Sequence, residues 1–186
     1  FLMLLLEVAA TALGIAYLLL AIGEHRSCWV AGGLASGLFL IVFWRSALPA
    51  QSLLQVYYVA IAVHGWVHWG AQPGQQPVRD VSLLQHWQLL GVWVALTVTT
   101  VAFFFSENAT LQNGFDALTS WGGVIATWMV ARKLRSAWLY WVFIDLASAA
   151  LFAHAGLLLS AGLYLVYAVL AVVAWQQWKQ NLASDL

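Results

Sequence analysis

Charge is scarce in this chain. Of 186 residues, seven are Lys or Arg and seven are Asp or Glu, 8% in all, where a soluble globular domain carries about 25%. With 63% of the residues hydrophobic, there is too little polar surface to face water, so the composition implies lipid as the solvent. The formal net charge is zero, which excludes the basic surface that nucleic acid or another polyanion needs. A single cysteine, Cys28, rules out an internal disulfide. There is no G-x-S-x-G turn for a serine hydrolase and no Walker A loop, so neither acyl-enzyme chemistry nor ATP power is expected. No lysine falls within an apolar segment, which excludes a retinal Schiff base. The expectation is a protein that is not an enzyme and needs no cofactor.

What the chain does contain is long apolar stretches. A spanning helix needs about 20 mostly apolar residues, and seven segments qualify. They run over about Leu4–Ile22, Cys28–Trp44, Ala50–Trp69, Leu84–Phe105, Phe115–Ala131, Ala137–His154 and Leu157–Trp178. The Gly70–Asp80 stretch holds Pro73 and Pro77, two of the three prolines, and is a linker; the polar segment Ser106–Gly114 reads as a loop. Arg26, Arg79, Arg132, Lys133, Arg135 and Lys179 fall on one side of such a topology and only Arg45 on the other. The excess of positive charge puts the C-terminus in the cytoplasm and the N-terminus outside. Trp44, Trp69, Trp87 and Trp178, near segment ends, are expected to anchor at the membrane interface.

The chain also repeats itself. Arg26-Ser27-x-Trp29 recurs 109 positions later as Arg135-Ser136-x-Trp138. In the same register Trp66-x-x-Trp69 recurs as Trp175-x-x-Trp178, Gly14 meets Gly123, Leu54 meets Leu163 and Tyr58 meets Tyr167. Apolar matches mean little in a chain this hydrophobic, whereas these polar and tryptophan matches in one register do not arise easily by chance. Segments one to three form one unit and five to seven the other. Segment four, a single span, restores the starting orientation, so the two units run parallel about an axis along the membrane normal, an arrangement used by transporters. The division expected is a first bundle over 1–70, a loop and linker helix over 71–112, and a second bundle with a tail over 113–186.

Polar residues deep in apolar segments are the candidate site. Asp145 stands near the middle of the sixth segment, where a carboxylate costs at least about 2.5–3.5 kcal/mol to insert and so faces a cavity or a partner. Trp138, Trp141 and Asp145 lie at i, i+3 and i+7, on one helical face, with Ser148 a turn further on. Two indoles and a carboxylate on one stripe suit a flat cationic ligand, held by stacking, cation–π attraction and charge. Gln55 falls on Tyr164 under the repeat; with Tyr58 and Tyr167 these residues offer hydrogen bonds at similar depth, to a ligand or to neighbouring helices. Glu7 and Asp116 are equivalent residues near the outer ends of segments one and five, placed to attract a cation at an entrance or to complement a helix dipole. His64 and His68 have the i, i+4 spacing of metal ligands, but no Cys, Asp or Glu stands nearby to complete a site, so no metal is expected. A membrane enzyme built on His64, His68 and His86 is a further class that metal analysis would test.

Over essentially its whole length the chain resembles the PnuC-type vitamin transporters. The resemblance rests on the Glu7–Gly14 stretch, on Ser52–Tyr58 leading to Gly65-Trp66-Val67-His68-Trp69, and above all on Trp138-x-x-Trp141-x-x-x-Asp145, which fits the family pattern W-x-x-W-x-x-x-[ND]. Tyr164, Tyr167 and Trp178 fit the family's last helix. The resemblance implies an all-α integral membrane protein of seven transmembrane helices in a 3+1+3 parallel-repeat arrangement similar to the SWEET sugar transporters. It implies facilitated diffusion of nicotinamide riboside into the cell across a bacterial inner membrane, a homotrimer, and a cytoplasmic vitamin kinase that traps the substrate. Trp138, Trp141, Asp145, Gln55 and Tyr164 become substrate-binding residues. Thiamine, another cationic aromatic vitamin, fits the same residues, and a membrane sensor that binds without transporting is the alternative of a different class.

Overall fold

The computed structural model describes residues 2–45, 49–70, 76–104, 110–154 and 158–184. They form seven α-helices: α1 Leu2–Ile22, α2 Cys28–Arg45, α3 Pro49–His68, α4 Leu83–Phe104, α5 Leu111–Ala131, α6 Ala137–His154 and α7 Leu158–Ser184. Each apolar segment is a helix because its backbone groups bond internally, the condition for residing in lipid. α2, α4 and the Ala161–Asn181 stretch of α7 are long and apolar enough to cross a membrane, and Val8–Ile22 and Ala137–Leu151 are shorter apolar helices.

Local capping sets several boundaries. α4 starts with a capping box: the Gln85 backbone N–H donates to Ser82 Oγ at 3.3 Å and the Ser82 N–H to Gln85 Oε1 at 3.0 Å. α5 starts at Leu111, inside the segment expected to be a loop. The reason is Thr110, whose hydroxyl accepts from the Asn113 N–H at 3.2 Å and caps the helix one turn early. α7 continues past Trp178 to Ser184, because Lys, Gln, Leu and Ala in the tail are good helix formers despite their polarity.

The chain divides into two compact units. The first comprises Phe1–Val78, Ala131–Lys133 and Gln177–Leu186, with α1 against α2 and α2 against α3. Its core is aromatic. Trp29 meets Tyr17 edge-on at 5.7 Å and Trp69 at 5.3 Å between ring centroids, and Trp69 lies 5.8 Å from Trp178. Gly65 and Gly32 allow this packing: a Cβ on Gly65 would stand 2.2 Å from Trp29, and one on Gly32 2.8 Å from Tyr17. Trp69 and Trp178 are fully buried, a correction to the interfacial role expected of them. Each indole N–H donates at 3.2 Å to a backbone carbonyl, Trp69 to Ala131 and Trp178 to Ala21, in the last turns of α5 and α1, where carbonyls run out of i+4 partners; that of Ala21 also accepts from the Glu24 N–H at 3.1 Å. Trp44 and Trp87, by contrast, are largely exposed, as an interfacial anchor should be.

The second unit comprises Arg79–Val130 and Leu134–Gln176. Trp93 is the buried residue of α4. Its N–H donates to the Leu118 carbonyl of α5 at 2.8 Å, and Trp121 of α5 returns a bond to Thr100 Oγ1 of α4, also at 2.8 Å. Trp93 stacks with Tyr140 at 5.8 Å and meets Phe143 edge-on, fixing α4 to α6 as well. Arg135 pairs with Asp80 at 2.7 Å, and the Ser136 hydroxyl donates to the same carboxylate at 3.1 Å.

Candidate functional site

α6 has three stripes. Leu139, Phe143, Leu146 and Ala150 are exposed, and Tyr140 and Ile144 are buried against the Trp93 side. The third stripe holds Trp138, Trp141, Asp145 and Ser148. Trp138 is 1% exposed, Asp145 5% and Ser148 6%, while Trp141 is half-buried. The spacing therefore places the expected residues together on an inward face of one helix. The Asp145 carboxyl also lies within electrostatic reach of the Tyr164 and Tyr167 hydroxyls of α7, whose rings meet edge-on at 5.9 Å. Among the described residues the ion pairs are Glu24–Lys133 and Asp80–Arg135, so no basic side chain there neutralises Asp145. A carboxylate buried under such conditions is costly unless a cation or a hydrogen-bond donor meets it.

Gln55 and Tyr58 belong to the first unit. Gln55 is buried on α3 beside Ser52, one turn before it, and Tyr58 meets Tyr57 edge-on at 5.5 Å. Tyr57 and Tyr58 are both within electrostatic reach of Tyr17, so this unit also has a phenolic cluster beside its buried amide. Asp116, an expected entrance residue, is exposed on the first turns of α5; the side chain of Glu7 lies outside the described residues. The His64 and His68 rings stack at 3.9 Å, and His68 Nδ1 bonds the His64 carbonyl at 2.8 Å, which ties the second ring to its own helix.

Residues 4–180 match the family described as the nicotinamide mononucleotide transporter. The chain belongs to that family. Its curated relatives include the nicotinamide riboside transporter PnuC of Escherichia coli K12, 26% identical over 93% of this chain and 84% of that protein. The riboflavin/roseoflavin transporter RibM of Streptomyces davaonensis is 25% identical over 86% of this chain and 78% of its own length. The fold matches the crystal structure of the vitamin B3 transporter PnuC with a TM-score of 0.74 and 17% identity, over 96% of this chain and 82% of that one. The family is one of transporters, not of enzymes, and with several apolar helices among its described residues this member is a multi-pass membrane protein.

Two residues of this family member were not read as a pair in the sequence. Glu24 and Lys133 sit in the short connections after α1 and α5, Lys133 counting only toward the orientation, yet both are buried. The signal was available: the two positions are repeat mates of opposite charge.

Proposed function

We propose that this transporter carries a cationic vitamin, nicotinamide riboside first, into the cell by facilitated diffusion. The observation that carries the reading is Asp145, a buried carboxyl on the Trp138–Trp141–Ser148 stripe, near Tyr164 and Tyr167 and without an ion-pair partner among the described residues. A pyridinium ring stacked on an indole would supply the missing positive charge, and the ribose hydroxyls would find Ser148, Tyr164 and Tyr167 as partners in the same unit; Gln55 and Tyr58 are kept as substrate-binding candidates of the first unit. The substrate of the Escherichia coli relative is such a cation. The relative named for riboflavin favours a second reading, a neutral flavin, for which stacking remains useful and the carboxylate serves only as a hydrogen-bond acceptor. Thiamine, cationic like nicotinamide riboside, belongs in the same comparison.

The architecture that goes with this function is seven membrane-spanning helices in a 3+1+3 arrangement of parallel repeats. The 109-residue repeat supports it. The six-to-one excess of basic residues on one side supports a cytoplasmic C-terminus and an external N-terminus in a bacterial inner membrane. Asp116, and Glu7 by equivalence, would draw a cation to the outer entrance. A homotrimer and a cytoplasmic kinase that phosphorylates the arriving vitamin complete the proposal, since uniport accumulates substrate only if the product is trapped.

Calorimetry with purified protein tests it, with nicotinamide riboside, thiamine and riboflavin in parallel. Removing a charge-assisted hydrogen bond forfeits about 1.5–3 kcal/mol, so Asp145→Ala should weaken a cationic vitamin by at least about tenfold. Asp145→Asn should weaken nicotinamide riboside but leave riboflavin nearly unchanged. Wild-type affinity in Asp145→Ala removes this residue from the site. Counterflow in liposomes separates transport from sensing.

A further inference from the structure

Glu24 and Lys133 share three unusual properties. Each follows the last turn of its helix, α1 or α5, in the left-handed region, with φ of 56° and 54°. Glycine is the usual residue at such a C-cap, and a side chain there is strained. The capping bonds repeat as well: the His25 N–H reaches the Leu20 carbonyl at 3.0 Å, and the Leu134 N–H reaches that of Met129 at 2.9 Å. Each residue is buried, at 3% and 1% exposure. Finally, they bond each other: Lys133 Nζ donates to Glu24 Oε2 at 2.6 Å across a sequence separation of 109, so each repeat supplies one half of the pair.

The surroundings have the same crossed symmetry. Trp69 and Trp178 are repeat mates and lie 5.8 Å apart. The first bonds the end of α5 and the second the end of α1, at equal length. Lys133 Nζ lies 5.0 Å from the Trp69 ring centroid and also donates to the Gln76 carbonyl at 3.2 Å. The Asn181 amide donates to the other Glu24 oxygen. All of these residues belong to the first unit. They tie together the ends of α1, α3, α5 and α7, which carry most of the basic residues of the chain.

We propose that this cluster is a reversible latch that closes the transporter at this end, and that the Glu24–Lys133 pair must part for that end to open. The proposal rests on the transport reading. Two chemical features favour a latch over a fixed brace. A buried ion pair is a poor source of net stability, because desolvation offsets its attraction; its strained backbone positions add to that cost. When the end opens, however, water solvates both charges and both indole N–H groups, so the closed and open states are kept close in energy. An apolar plug would lack that compensation. Two repeat mates also face each other directly, so a rocking motion of the repeats separates them.

Cys28 supplies the test. It is the single cysteine of the chain, it is fully buried beside Trp29, and it is near enough to Lys133 to feel its charge. A charged maleimide should label it only when this end opens. In detergent-solubilised protein, Lys133→Met should raise the labelling rate by at least about tenfold. The charge exchange Glu24→Lys with Lys133→Glu should bring the rate back toward wild type. The apolar pair Glu24→Leu with Lys133→Met should melt at or above the wild-type temperature, label no faster than wild type, and lose nicotinamide riboside counterflow by about tenfold or more. A merely structural pair would let that double variant transport normally, which overturns the proposal; so does a folded Lys133→Met protein that labels at the wild-type rate. If wild-type protein shows no nicotinamide riboside counterflow, the substrate reading fails and the labelling rates still decide the latch.

Discussion

Replacing Gly65 by alanine would put a methyl carbon 2.2 Å from Trp29 Cε2, 2.3 Å from Cδ2 and 2.7 Å from Cζ2. Carbon atoms attract best at about 3.5–4.0 Å, so the ring or the helix must yield by about 1.3 Å. Trp29 has little room to do so. It is 2% exposed and is flanked edge-on by Tyr17 and Trp69. Overpacking of this kind costs about 1–3 kcal/mol, occasionally more. Alanine in the last turn of α3 returns at most about 0.8–1 kcal/mol of helix propensity. The displacement is large and its partner is an indole hemmed in by two further rings, so a net loss of about 2 kcal/mol is expected. For a chain of this length that corresponds to a fall in Tm of about 4–8 °C. Gly37→Ala in α2 is the control, since nothing lies within 4 Å of its added Cβ; there only the propensity gain remains, and Tm should hold or rise. Intrinsic fluorescence melts in one detergent compare the three proteins. A Gly65→Ala protein melting at or above wild type, or a Gly37→Ala protein falling equally far, would refute the reasoning.

Gly122→Ala sets the same conflict in the second unit, with the new carbon 2.4 Å from Trp93 Cζ2 and 2.9 Å from Ile144 Cδ1. A loss of about 1–3 kcal/mol is expected in the same melt, and adding Trp93→Phe, which shortens the intruding ring, should recover part of it. Ser82→Ala removes the hydroxyl that caps α4 and should cost about 0.5–2 kcal/mol locally. Hydrogen exchange should report it as faster exchange of the Gln85 amide, with the middle of α4 unchanged.

The number and kind of elements were legible because apolar length is a strong signal and each segment has no other way to satisfy its backbone. The boundaries that differed follow from weaker local signals. Thr110 capped α5 earlier than polarity suggested, and the helix-forming tail carried α7 past the last tryptophan. The α6 stripe was legible from spacing alone, since helical period fixes which side chains share a face. Trp69 and Trp178 were misjudged because position near a segment end says nothing about which way an indole points. Their burial depends on carbonyls of α5 and α1 that are distant in sequence. The Glu24–Lys133 pair was hidden for the same reason: a charge in a short connection usually faces water, and only the repeat register shows that the two are mates.

The two repeats keep one set of residues and change another, and the division bears on function. Arg26 and Arg135 both lie over an indole, of Trp66 at 3.7 Å and of Trp175 at 5.1 Å, and Trp29 and Trp138 are both buried. These features are common to both halves. The α6 stripe keeps Trp138 but diverges beyond it: Trp141 stands where the first repeat has Gly32 and Asp145 where it has Ser36, and on α7 Tyr164 stands where it has Gln55. At Gly32 a side chain would stand 2.8 Å from Tyr17, so an aromatic ring from α1 fills the space in the first unit. The counterpart of Tyr17 in α5 is Ala126, fully buried, and the aromatic residue comes from α6 instead. If the vitamin binds as proposed, a carboxylate confined to one repeat gives a planar cation a single charged partner. The carboxylate, the second indole and the Tyr164 phenol of the proposed site are thus each confined to the second repeat, while Trp138 and Tyr167 have identical mates in the first.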